Sequence, residues 1–118
     1  MVKTLPLQAI TTPQVKNHIK NTIIDGNNNG SCVVVKDGGD EASIWGFTIQ
    51  HGSGYDNGYD AYGGGIFICD NIINTFNVHN CIICNNCAGT GGGIFVNDCF
   101  EFNISGTRII HNFAHNAG

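Results

Sequence analysis

The chain has 118 residues, a net charge of −4 and only five Lys or Arg. One domain is the expectation at that length, and so few cations exclude a nucleic-acid or anionic-membrane surface, which needs clustered positive charge. With 17 glycines, two prolines and 12% charged residues, the composition asks for many turns and suits neither a helical bundle nor a disordered linker.

Residues 1–22 read as an N-terminal cap or linker segment. Met1 to Ile10 holds one basic residue and an apolar stretch broken by Pro6 and Gln8, which makes a poor signal peptide and no membrane span. Val15 and Ile19, four apart after Pro13, suit an amphipathic turn or two. Residues 23–118 then carry two kinds of short segment in alternation. Ile23-Ile24-Asp25-Gly26 comes first, followed by Gly30 to Asp37 with its run Val33-Val34-Val35. Ile44 to Gly52 resembles the first kind, and Gly63-Gly64-Gly65-Ile66-Phe67-Ile68-Cys69-Asp70 the second. The glycine-led segment returns as Gly91 to Asp98, an offset of 28, while Phe76 to Ile83 returns as Phe102 to Ile109, an offset of 26.

Each segment is β-branched or aromatic and alternates at strand period. A unit this short cannot bury its apolar face alone. Stacked in parallel at about 4.8 Å, identical positions superpose and each column becomes continuous core. The expected inner columns are Val33/Ile66/Ile94, Val35/Ile68/Val96, Ile44/Val78/Ile104, Phe47/Cys81/Thr107 and Ile23/Ile49/Ile83/Ile109. Val34, Phe67 and Phe95 point the other way.

The pairing of GGGIFI or GGGIFV with NCIICNNCA and GFTIQHG, preceded by NTIIDGNNNG, resembles the right-handed parallel β-helix repeats of pectin-lyase-like and polymorphic outer-membrane proteins. The resemblance covers residues 22 to 118. It implies an all-β solenoid of about four coils of roughly 26 to 34 residues. The family's asparagine ladder corresponds to Asn86 and Asn112, and Gly26 and Gly52 stand in the same column, so half of it is missing. The fold hosts polysaccharide lyases, hydrolases, adhesins and structural modules, and so does not fix function.

Four groups of residues carry candidate chemistry. Asp37, Asp70 and Asp98 fall in one column after a strand; such a row of carboxylates would take calcium, a hard ion with oxygen ligands, or each Asp simply starts a turn. No other cofactor is expected. An insertion between Gly52 and Tyr62 offers Tyr55, Asp56, Tyr59, Asp60 and Tyr62, which could stack on a sugar ring and bind its hydroxyls, or form a solvated loop. Cys81, Cys84 and Cys87 have a metal-like spacing, but on strands their thiols diverge. The column Asp25/His51/Asn85/His111 brings His near a carboxylate without the base-and-orienter geometry of a worked site. The resemblance to lyases and hydrolases would call for an Asp cluster beside a basic residue. Arg108 is the only arginine, and it aligns with Ile82 rather than with the Asp column.

The expectation is therefore a non-catalytic module, extracellular or at the cell surface, that is structural, adhesive or filament-forming. Its partners would be copies of itself through the coil ends, because the strand around Phe102 to Ile110 has no following coil to pair with. A polysaccharide-binding or pectate-lyase-like enzyme, or a fragment of one, is the alternative, with glycans as partners.

Overall fold

A computed structural model describes residues 18–36, 41–69 and 75–118. Strands β1 (Ile23–Asp25), β2 (Val33–Val35) and β3 (Glu41–Trp45) come first. They are followed by β4 (Thr48–Gln50), the short pair β5 (Tyr55–Asp56) and β6 (Ala61–Tyr62), β7 (Ile66–Cys69) and β8 (Thr75–His79). Next come β9 (Ile82–Cys84), β10 (Cys87–Thr90), β11 (Ile94–Asn97) and β12 (Glu101–Ser105), then β13 (Arg108–Ile110) and β14 (Phe113–Ala117). Residues 18–21 are helical.

These strands form four sheets, ordered β1-β4-β9-β13, β5-β6-β10-β14, β2-β7-β11 and β3-β8-β12. All pairs are parallel except the β5–β6 hairpin. From β4 onward the chain visits the four sheets in one unchanging order, so each strand lies beside its counterpart from the previous pass. The protein is all-β with parallel sheets, as the alternating segments require.

The registers superpose Val33, Ile66 and Ile94, then Val35, Ile68 and Val96, and Ile44, Val78 and Ile104. Ile49, Ile66, Ile68, Val78 and Ile83 form the fully buried centre. One expected column needs correction. Ile24, not Ile23, stands under Ile49, Ile83 and Ile109, while Ile23 pairs with Thr48 and is half exposed. The one-residue slip reverses the two faces of β1. It goes with a first corner that has two residues at positive φ, Asn27 and Asn28, where later passes have one, His51, Asn85 or His111. A further inner column is Ala42/Phe76/Phe102, whose two phenyl rings stack at 6.2 Å.

Polar satisfaction inside the stack rests on Asn86, which is 1% exposed. Its Oδ1 accepts from the Gly52 N–H at 2.8 Å, and its Nδ2 donates to the Ile49 carbonyl and to Asn112 Oδ1, each at 3.0 Å. Asn112 repeats the pattern: its Oδ1 accepts from the Asn86 N–H at 3.0 Å and its Nδ2 donates to the Ile83 carbonyl at 2.8 Å. In the Gly26 and Gly52 positions of this column the vacant side-chain space is taken by Cys32, whose thiol donates to the Gln50 carbonyl at 3.1 Å and reaches Asn86 Oδ1 at 3.5 Å. A thiol from another segment thus completes the asparagine column.

In the helical residues, Ile19 is buried, its carbonyl accepts from Thr48 Oγ1 at 2.6 Å, and the His18 ring lies 6.1 Å from that of Trp45. The helical residues cover the corner between β3 and β4; Val15 lies outside the described residues.

Candidate functional site

The insertion between Gly52 and Tyr62 folds as the β5–β6 hairpin, with Tyr55 opposite Tyr62 and Asp56 opposite Ala61. Its tip is made by side chains that bond nearby backbone. Asp56 Oδ1 accepts from the Gly58 N–H at 2.8 Å, and Asn57 Oδ1 accepts from the N–H groups of Tyr59 and Asp60 at 3.0 Å.

At the base of the hairpin the tyrosines turn onto the sheet. Tyr55 stacks on Phe67 with centroids 4.7 Å apart, Phe67 stacks on Phe95 at 5.7 Å, and Tyr62 leans on Phe95 at 4.9 Å. The Lys36 ammonium sits 4.1 Å from the Tyr55 centroid and bonds its hydroxyl. The outward pair Phe67 and Phe95 is therefore roofed by the hairpin, and Phe67 is buried. Beside this aromatic column runs an open groove of about 390 Å³, bordered by Lys36, Asn57, Tyr62, Phe95 and Asn97.

Asp60 fastens the hairpin to the sheet. Its Oδ2 accepts from Thr90 Oγ1 at 2.9 Å and from Asn116 Nδ2 at 3.1 Å, and its Oδ1 accepts from the Ala61 N–H at 2.9 Å. Gly89 leaves room for this carboxylate, because a β-carbon there would collide with it. The Asn116 hydrogen bond, with that from Thr90, holds the Asp60 carboxyl below the usual carboxylate range. The five residues expected to face a ligand are thus divided. Tyr55 and Tyr62 pack, Asp60 clasps, Asp56 shapes the turn, and Tyr59 stands 98% exposed.

Of the expected calcium row, Asp37 and Asp70 lie outside the described residues. Asp98 is a turn residue at φ 57° that accepts from Asn97 Nδ2. Among the described residues, no three His, Cys, Asp or Glu side chains gather as a metal site. Asp25 accepts from the Asn27 N–H at 2.9 Å, lies 2.9 Å from His51 Nδ1 and accepts from Gln50 Nε2, and these contacts, led by Asn27, lower its carboxyl's pKa.

All six cysteines are free thiols. Burial pushes the thiols of Cys32, Cys81 and Cys84 up. Cys87 differs: its Sγ lies 3.3 Å from His115 Nε2.

The last feature is the edge formed by β11, β12, β13 and β14, beyond which no strand lies among the described residues. Ile109 is 46% exposed there, whereas its column neighbour Ile83 is 0% exposed. Ile104 and Phe113 are exposed beside it. A shallow cavity of about 280 Å³ opens on this edge, lined by Gly92, Gly93, Ile94, Ile109, Asn112 and Ala114. The chain matches no protein-family model, no curated protein and no solved structure.

Proposed function

We propose that the chain is a right-handed parallel β-helix of about four coils that serves as a non-catalytic structural module and associates with a second copy of itself through the β11–β14 edge. Right-handedness accords with the crossover rule for parallel strands. The observation that carries the association is the contrast between Ile83 and Ile109, the same residue in the same column, buried in one pass and 46% exposed in the next. Among the described residues this apolar column ends at a parallel edge, which presents hydrophobic surface and backbone groups to a partner.

A cell-surface setting goes with this reading; burial would then shield Cys81 and Cys84 from oxidation. Binding or degradation of polysaccharide is the second reading and draws on the groove beside Phe95. It ranks lower because Tyr55, with Phe67 on its ring and Lys36 over it, has little ring face left for a sugar.

Sedimentation and light scattering of the full chain across concentration test the association. A dimer, or a longer series if the ends stack head to tail, is the expected result, and Ile109→Lys should return it to monomer with an unchanged far-ultraviolet circular dichroism spectrum. A monomer at millimolar concentration for the unaltered chain would overturn the proposal.

A further inference from the structure

Strand β14 carries an irregularity that re-aims two side chains. Ala88 stands opposite Ala114 and Thr90 opposite Ala117, so β14 advances by one more residue than β10 across this interval. The extra residue falls at His115 and Asn116. Bulges of this kind bend a strand and redirect what it carries. Here Asn116 reaches Asp60, and His115 reaches Cys87 with Nε2 at 3.3 Å from Sγ. The Phe113 ring meets the imidazole edge-on at 4.9 Å and 88°.

We propose that Cys87 is a reactive thiol, with His115 as its base, that undergoes exchange with low-molecular-weight disulfides of the glutathione type. A thiolate is the nucleophile in such chemistry, and an imidazole at hydrogen-bond distance is what generates it. His115 Nε2 takes the proton from Cys87 Sγ. The thiolate then attacks one sulfur of the small disulfide, the reagent's S–S bond breaks, and a new S–S bond joins Cys87 to half of the reagent. The departing thiolate takes the proton back from His115 and leaves as a thiol. Cys87 is oxidised and the released half is reduced, so no further reactant is needed.

The other thiols lack this arrangement. Burial pushes the thiol pKa of Cys32, Cys81 and Cys84 up and so disfavours their thiolates. Cys69 faces Asn97 Nδ2 at 3.7 Å and Cys99 faces the Glu101 carbonyl at 3.1 Å, and neither partner is a base. The backbone at Cys87 is fixed as well, because its N–H donates to the Gly52 carbonyl at 2.9 Å.

The test uses the full folded chain with limiting glutathione disulfide at neutral pH, followed by peptide mapping of each cysteine over time. Cys87 should acquire the adduct first, ahead of Cys69 and Cys99 by on the order of a hundredfold, the low end of what a positioned base supplies. His115→Gln, checked for fold by circular dichroism, should bring Cys87 down to the rate of Cys69. The proposal is overturned if Cys69 or Cys99 of the unaltered chain reacts as fast as Cys87, a comparison that does not depend on any variant folding. It is equally overturned if a folded His115→Gln chain keeps the fast rate.

Discussion

Replacing Asn86 with Leu deletes four hydrogen-bonding contacts while keeping the side chain about as large. The Gly52 N–H loses its acceptor, the Ile49 carbonyl loses one donor, Asn112 Oδ1 loses another, and the Cys32 thiol loses its longer contact. A buried donor left unpaired costs about 1–3 kcal/mol, and each lost hydrogen bond with a surviving alternative costs about 1 kcal/mol. The Gly52 N–H is the group with no other acceptor, so the sum, leaving out the long thiol contact, is about 3 to 5 kcal/mol. That is a large part of the roughly 5–15 kcal/mol that holds a small domain together. Asn112→Leu, at the exposed edge where water can replace the amide, should cost less, about 1 to 2 kcal/mol. Urea unfolding of both variants against the unaltered chain measures the difference. If Asn86→Leu unfolds within about 0.5 kcal/mol of the unaltered chain, or if Asn112→Leu is the more damaging, the ladder is not what satisfies the interior.

Packing and charge set two further outcomes. Gly64→Ala should abolish folding or leave a strongly destabilised chain, because a methyl group there meets the Gly92 carbonyl and the Cys87 backbone. Gly58→Ala, at φ 93° with open space around it, should cost only about 1 kcal/mol, and equal losses at both positions would show that contact at Gly64 is relieved. The carboxyls of Asp25 and Asp60 titrate below their usual range in the folded chain, so the stability they confer is complete above the unfolded value of about 3.9 and is lost as pH falls through the folded values. The urea midpoint should hold level from pH 7 to about 5 and decline below about 4, and Asp60→Asn should flatten that decline. An unchanged acid slope in Asp60→Asn would remove the clasp from the explanation.

The columns of Ile66, Ile68 and Val78 are legible in the sequence because their segments recur at constant offsets with alternating polarity. Ile23 and Ile24 are not distinguishable that way: both are isoleucine, and it is the register with β4 that places Ile24 under Ile49. The outward direction of Phe67 and Phe95 is also legible, but not their cover, because the hairpin that roofs them is an insertion without a counterpart in the other passes. Asp60 presents itself as a ligand for sugar or cation. Its main partner, Asn116, is 56 residues away, and no local pattern marks that pair. The Cys87–His115 contact is hidden for a related reason: it depends on the extra residue in β14, and a constant offset puts Phe113 beside Cys87 and leaves His115 facing elsewhere.

The long separation between paired segments bears on how such a chain finds its structure. Asn86 and Asn112 are 26 residues apart, and every parallel pairing likewise joins segments separated by a whole pass. Bringing two such segments together for the first time loses chain entropy worth about 3 kcal/mol before any column has formed, since closure scales as (3/2)RT ln n. Only the β5–β6 hairpin escapes that requirement among the described strands. Once one pair of passes has met, the next adds to a surface already in register. The slow event is therefore the first encounter. Later passes propagate from that template.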